Sequence, residues 1–303
     1  MSAILKNLKF YCKSVIYGTV ITGCAFYGVV ASIALRVVGK KEYAQYTVAR
    51  AFYHSLSLFL RLKINLKNEH YLKDNKPAIV ISNHQSALDI YILGRIFQPG
   101  YTVTSKRALQ YVPFLGWFML ASGTFFLDRK NGDKSRKVLE EALNTLKDEK
   151  RALFIFPEGT RSALKDLVML PFKKGAFHLA RTASIPIIPV VVSNTSNIFH
   201  AKDRVFNTGE ITIEVLPPVK SENLDTPEAF SQFVEKTRES MMNKLEDLGY
   251  SQTSTDSNRE AAKGSGTETS QRPNVPVSER STTEITETAD VSSDELTPLI
   301  NQN

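Results

Sequence analysis

A chain of 303 residues suits one medium domain with appendages or two small ones, and a hydrophobic content of 42% is enough for a sizeable core. Two cysteines, Cys12 and Cys24, without a Cys-x-x-Cys pair exclude a disulfide scaffold and a cysteine-rich zinc site, and fit a reducing compartment or burial in lipid. The net charge of +7 is uneven: residues 251–303 carry −5, which leaves +12 on the rest, and a basic body either aids solubility or meets an anionic partner such as nucleic acid, anionic lipid or a phosphate-rich cofactor.

The first element in chain order is the uncharged run from Ser14 to Leu35, flanked by Lys6, Lys9 and Lys13 before it and Arg36, Lys40 and Lys41 after it. About 20 apolar residues cross a bilayer. The run is too long for the apolar core of a cleaved leader, so it reads as an uncleaved anchor. Its Gly, Thr and Ser content leaves open a bent or half-inserted helix, and the near-symmetrical flanking charge gives no orientation. Residues 42–62 predict a second helix. Its Tyr46, Phe52, Leu56, Phe59 and Leu60 either lie at a membrane interface or pack on the folded domain.

From about residue 77 short apolar runs alternate with helical patterns. Strands are predicted at Ala78–Ser82, Tyr101–Thr104, Thr124–Leu127, Ala152–Phe156, Ile187–Val192 and Ile211–Val215. Helices are predicted at Ala87–Phe97, Ser135–Leu146 and Lys174–Ala183. A last helix is capped by Thr226, has Pro227 in its first turn, and runs to about Leu248. This alternation defines an α/β fold with a mainly parallel sheet and flanking helices. A second uncharged run, Ala108–Leu127, is long enough to span, but Pro113, Gly116 and Gly123 interrupt it. After Tyr250 the chain turns to Ser, Thr, Asp, Glu and Pro, a composition that cannot bury enough surface to fold. The organisation read from this is N-terminal membrane or interfacial helices over 1–62, an α/β domain over 63–250, and a disordered acidic tail over 251–303. The tail ends in an acidic-dileucine-like string, Glu295 to Ile300, a pattern that chance supplies often.

Four blocks carry chemistry. Asn83-His84-Gln85-Ser86-Ala87-Leu88-Asp89 follows a predicted strand. An imidazole beside a carboxylate is a general base with an orienting partner. Residues five apart on a helix diverge by roughly 140° at 3.6 residues per turn, so His84 and Asp89 meet only if His84 lies at or before the helix start. Otherwise His84 is a strand-end residue and Asp89 a helix-surface one. Phe156-Pro157-Glu158-Gly159-Thr160-Arg161-Ser162 forms a tight loop after another strand and presents Glu158 and Arg161 where α/β ligands bind, or else a turn with a surface ion pair. Gly123 to Arg129 ends an apolar strand in a charged pair, and Ile185 to Val190 is a strand bounded by prolines, which belong at a strand start or an edge.

These blocks, in this order, resemble the glycerolipid acyltransferase family, with its NHxxxxD, Gly…Arg, FPEGTRS and Pro-rich apolar blocks. Lys106-Arg107-Ala108-Leu109 to Pro113 and Gly116 is similar to the family's KxxLxxxPxxG stretch. The likeness spans about Asn83 to Val190 and is nearest to the 1-acyl-sn-glycerol-3-phosphate acyltransferases, their fungal members in particular. The acidic tail is no part of that pattern.

The resemblance implies an enzyme that moves a fatty acyl group from acyl-CoA to the sn-2 hydroxyl of lysophosphatidic acid, giving phosphatidic acid. His84 is the implied general base and Asp89 its partner, with no acyl-enzyme. Arg129 and Arg161 are assigned to the acceptor phosphate, with Lys106 a further candidate. Glu158, with Gly159 and Thr160, is assigned to acceptor binding, Glu158 contacting glycerol hydroxyls or holding Arg161. Asn83, Gly123, Pro157 and Pro189 shape the site. Acyl-CoA enters as co-substrate, with no resident cofactor and no metal. Partners are membrane lipids and the two substrates. Nucleic acid is excluded by the anchor and by the lack of a recognition module. The implied location is the endoplasmic reticulum membrane with the catalytic domain facing the cytosol, or a lipid droplet if the N-terminus forms a hairpin in one leaflet. Ala108–Leu127 is then core, or an apolar surface dipping into one leaflet, because a crossing would part His84 from the Glu158 loop. The alternatives are glycerol 3-phosphate or another lysophospholipid as acceptor, and a catalytically silent lipid-binding or scaffold protein.

Overall fold

The computed structural model describes residues 3–127, 143 and 146–254. The predicted positions Arg129 and 255–303 of the tail, and all but Leu143 and Leu146 of the helix predicted at Ser135–Leu146, lie outside them. An eight-stranded sheet forms the centre, with path order β1-β9-β6-β2-β5-β3-β4 and β10 paired to β9. The strands are β1 (Leu62–Lys67), β2 (Ala78–Ser82), β3 (Tyr101–Lys106), β4 (Phe125–Leu127), β5 (Ala152–Ile155), β6 (Ile187–Val192), β9 (Gly209–Val215) and β10 (Gln252–Thr253). A separate hairpin joins β7 (Phe199–His200) and β8 (Val205–Phe206). Strands β6, β2, β5, β3 and β4 pair in parallel. Their carboxyl ends therefore share one edge, where ligands of open α/β sheets bind. The exceptions are β9, antiparallel to β6 and parallel to β1, and β10, antiparallel to β9.

Strand β2 is buried throughout, as a strand covered on both faces must be. Its Val80 joins a core with Phe52, Leu56 and Leu60 of α2 (Ala44–Leu60) and Tyr91, Ile92 and Ile96 of α4 (Asp89–Ile96). Its Ile79 and Ile81 join the opposite core. That core holds Phe177 and Ala180 of α6 (Gly175–Ala183), and Phe230, Phe233, Met241 and Leu245 of α7 (Pro227–Leu248). The result is three layers, helix on sheet on helix. Thr226 caps α7 by accepting from the Ala229 N–H at 3.1 Å, with Pro227 at its first position. Beyond the predicted elements lie β1, β7, β8, β10 and the short α3 (His70–Asp74). Residues 251–253, assigned to the tail from composition, instead close the sheet: the Ser251 N–H bonds the Asn194 carbonyl, and Gln252–Thr253 pair with β9.

Helix α1 (Ala3–Val37) has 35 residues and is long and apolar enough to cross a membrane. It also lies against the folded domain. Phe10 stacks near Phe199 at 6.2 Å, Tyr17 meets Phe52 and Phe206, and Phe26 meets Phe114. Helix α2 takes the packed alternative, since Phe52, Leu56 and Leu60 are buried, while Leu58 and Phe59 face outward. The run Ala108–Leu127 is not one helix. It divides into a 3-10 turn (Arg107–Tyr111), α5 (Leu115–Ala121) and β4. Gly116 lets the first two meet, for a Cβ there would sit 2.1 Å from the Gln110 carbonyl oxygen.

Pro189 sits inside the sheet, paired to Ile81, and not at the edge or strand start that proline chemistry suggests. The reason lies on the other flank of β6. Ile187 exchanges bonds with Val219, and the Pro189 carbonyl accepts from the Leu216 N–H. The proline nitrogen thus faces the Pro217–Pro218 bend between them, where no ladder donor is required.

Candidate active site

His84 leaves the end of β2 two residues beyond Ser82, and α4 begins at Asp89, which meets the spacing condition: the imidazole lies outside the helix. His84 Nδ1 is 2.6 Å from Asp89 Oδ2. The same oxygen accepts from the Gln85 N–H at 2.8 Å and the Ser86 N–H at 3.0 Å. An ionised carboxylate only accepts, so Nδ1 is the donor and Nε2 is left as the acceptor. Asp89 is 3% exposed, and its position in the first turn of α4 favours negative charge. Ser86 accepts from the Leu88 N–H at 3.1 Å, tightening the turn without capping the helix through its side chain.

The loop is held from every side. Phe156, at the end of β5, stacks on the imidazole with ring centres 3.9 Å apart and planes 14° from parallel. Glu158, buried in the neighbouring loop, accepts from the His84 N–H at 2.7 Å through Oε1 and from the Leu170 N–H at 2.9 Å through Oε2. Burial pushes its carboxyl above the usual range, and the two N–H donors oppose the rise. The chain then returns from this loop, with the Ser162 and Ala163 N–H groups bonding the carbonyls of His84 and Gln85. Asn83 exchanges two bonds with the Val192 backbone at 2.9 and 3.0 Å. Gln85 donates to the Val192 and Ser193 carbonyls and accepts from the Thr195 N–H. From α1, the Tyr17 hydroxyl donates to the Ala87 carbonyl at 2.5 Å.

The predicted residues fall into three groups. His84, Asp89, Asn83, Pro157 and Glu158 converge on the loop. Both Glu158 oxygens face backbone donors, and among the described residues Glu158 forms no ion pair with Arg161. Gly159 takes φ +71°, and a Cβ there would press to 2.9 Å on Lys173. Thr160 and Arg161 are exposed beside it. Arg161 lines a cleft next to Gln85–Ala87 and has no carboxylate within ion-pair distance among the described residues. Lys106 ends β3, on the β5 side of the same edge, and is exposed. Gly123 is not at this edge. It makes the turn from α5 to β4 at φ +77°, and its carbonyl accepts from Thr102 early in β3. Gln85, Phe156 and Tyr17 were not legible as site residues. Gln85 occupies a spacer position of its block, Phe156 reads as strand, and Tyr17 is hidden in the apolar run.

A partly exposed imidazole bonded to a buried carboxylate at the carboxyl edge of a parallel sheet has the geometry of a general base, and the cations beside it, without a carboxylate partner among the described residues, can meet anionic groups. Comparison with known proteins gives the class. The acyltransferase family profile matches residues 63–193, and the chain belongs to that family. It is 49% identical over 249 residues to the 1-acyl-sn-glycerol-3-phosphate acyltransferase of Saccharomyces cerevisiae, covering 82% of each chain. It is 30% identical over 236 residues to the human 1-acyl-sn-glycerol-3-phosphate acyltransferase alpha, covering 78% of this chain and 81% of that one. The crystal structure of the 1-acyl-sn-glycerophosphate (LPA) acyltransferase PlsC from Thermotoga maritima shares the fold, with a TM-score of 0.61 at 24% identity over 80% of this chain and 95% of that one.

Proposed function

We propose that the chain acylates the sn-2 hydroxyl of lysophosphatidic acid from acyl-CoA, yielding phosphatidic acid. The observation that carries the chemistry is the 2.6 Å contact between His84 Nδ1 and Asp89 Oδ2, with that oxygen also bound by two backbone N–H groups. The substrate follows from the names of the relatives in yeast and human.

His84 Nε2 takes the proton of the acceptor hydroxyl as its oxygen attacks the thioester carbonyl, and Asp89 stabilises the imidazolium. The tetrahedral oxyanion collapses and breaks the carbon–sulfur bond. The departing CoA thiolate then takes the proton back from His84, so no acyl-enzyme is needed. Arg161, with Arg129 and Lys106, meets substrate phosphate. Glu158 holds the backbone of His84 and does not touch the acceptor.

The domain works in one leaflet of the endoplasmic reticulum membrane on the cytosolic side, where acyl-CoA is available. Support comes from exposed apolar side chains on two neighbouring helices. Val15, Phe26, Val30 and Ile33 of α1 are exposed, as are Trp117 and Leu120 of α5, and α1 packs beside α5 through Phe26 and Phe114. Such side chains on a helix that also clings to the domain suit burial in an interface.

The test is an acyl-transfer assay on detergent-solubilised protein with radiolabelled oleoyl-CoA and lysophosphatidate, glycerol 3-phosphate or lysophosphatidylcholine. Label passes to lysophosphatidate, and His84→Ala with an unchanged circular dichroism spectrum loses about 10³-fold or more of the rate. Transfer surviving in that variant removes His84 from the mechanism, and transfer to another acceptor alone reassigns the substrate.

A further inference from the structure

The cleft beside the His84 loop has a wall that no recognised motif supplies. It encloses about 320 Å³ between Gln85–Ala87 and Arg161 on one side and the β7–β8 hairpin, with Phe199, His200 and Lys202, on the other. Arg161 and Lys202 line it from two separate segments. Both are exposed, and neither has a carboxylate within ion-pair distance among the described residues. The carboxylate on the hairpin, Asp203, is already matched by Lys165, and its backbone N–H donates to His200 Nδ1 at 3.2 Å.

Two further groups complete the arrangement. Lys13 Nζ is buried without a hydrogen-bond partner among the described residues. It lies 5.4 Å from the centre of the Phe206 ring, and that ring packs edge-on against Phe199 of the cleft wall at 5.0 Å. Ser86 accepts from the Leu88 N–H, and its own proton has no acceptor among the described residues. The cleft is lined mainly by apolar surface, Ala87, Leu164 and Phe199 among it, and carries two cations, a spare hydroxyl and no unmatched carboxylate on its hairpin wall, which suits a phosphate group attached to a less polar body.

We propose that this cleft is a phosphomonoester site in which Lys202 and Arg161 are direct ligands and Lys13 supplies charge from behind the aromatic wall. The inference rests on the acyl-CoA and lysophosphatidate reading for its two sources: the acceptor's phosphate, or the 3′-phosphate of CoA. Lys202 is then a substrate-binding residue contributed by the hairpin.

The experiment uses the full chain in detergent, as wild type, K202E and K202Q. Among the described residues Lys202 makes no side-chain hydrogen bond or ion pair and it is exposed, so both variants are expected to keep the fold. The KM values for lysophosphatidate, oleoyl-CoA and oleoyl-3′-dephospho-CoA are measured for each. K202E is expected to raise one KM about tenfold, the loss of one charge-assisted contact, with kcat changed less than about twofold and K202Q showing a smaller rise. A rise for lysophosphatidate alone assigns the cleft to the acceptor. A rise for oleoyl-CoA that vanishes with the dephospho donor assigns it to CoA.

Binding is read apart from turnover by the thermal shift that 3′,5′-ADP or glycerol 3-phosphate gives wild type and K202E. A shift in wild type that K202E lacks supports the site even if neither acyl acceptor turns over, which separates this inference from the proposed function. Unchanged KM values in K202E together with equal thermal shifts, or none, in the two proteins overturn it.

Discussion

The acidic and the basic side chains at the carboxyl edge of the sheet are built differently. Asp89 and Glu158 are both buried at 3% exposure, and between them they receive the imidazole and four backbone N–H groups. Lys106, Arg161 and Lys202 are exposed and lack a carboxylate partner among the described residues. Buried carboxylates fix a loop because leaving their donors unpaired is costly. Exposed cations cost little to leave waiting and gain most when an anion arrives. The anions prepare the base, in this account, and the cations bind what the base acts upon.

Changes on the acidic side break that comparison most visibly. Asp89→Asn substitutes an amide whose NH₂ or carbonyl must meet three donors. We expect kcat to fall about 10³- to 10⁴-fold while the far-ultraviolet spectrum is kept, as measured by steady-state kinetics beside circular dichroism. Glu158→Gln places an N–H against either the His84 or the Leu170 N–H. A misplacement of the base by even about 1 Å is worth roughly 10²-fold in rate, so kcat should fall by about that factor.

A smaller change sharpens the boundary between the site and α1. Tyr17→Phe deletes the bond to the Ala87 carbonyl, about 1 kcal/mol, and kcat in vesicles should drop several-fold with both KM values kept. The smallest effect is expected far from the chemistry. Arg95, at the other end of α4, binds both oxygens of Glu69 at 3.1 Å, and this contact above all lowers the Glu69 carboxyl to about 2. The stabilisation is present above about pH 4.5, the unfolded value, and is lost as pH falls toward 2. Glu69→Gln should therefore cost about 1–2 kcal/mol at pH 7, after allowance for solvent screening. The difference should close by about pH 2 in denaturant titrations, with kcat unchanged at neutral pH.

Much of this edge was legible in the sequence because its chemistry is local. His84 and Asp89 lie five residues apart, the strand before them is a plain apolar run, and the spacing itself requires the strand–loop–helix junction. Strands β2, β3, β5 and β6 were readable for the same reason. The contacts that join distant segments were not. Glu158 reads as a ligand contact because it neighbours Arg161, yet it reaches back 74 residues to the His84 N–H. Gln85 finds its partners more than 100 residues away. Gly123 looked like a site residue by its block, but its positive φ serves a turn away from the edge. Pro189 tolerates a central strand only because the bend at Pro217–Pro218 removes the need for its N–H, a condition set by a later segment of chain. The hairpin lysine carries no motif at all.

The measurement that bears most directly on the division between preparing and binding groups is a side-by-side kinetic comparison of Glu158→Gln and Arg161→Gln. The account predicts that Glu158→Gln lowers kcat about 10²-fold with the lysophosphatidate KM within about twofold, and that Arg161→Gln raises the KM of a phosphate-bearing substrate by about tenfold or more. A Glu158→Gln enzyme that keeps its kcat but loses affinity for lysophosphatidate would contradict it, and would return Glu158 to the substrate.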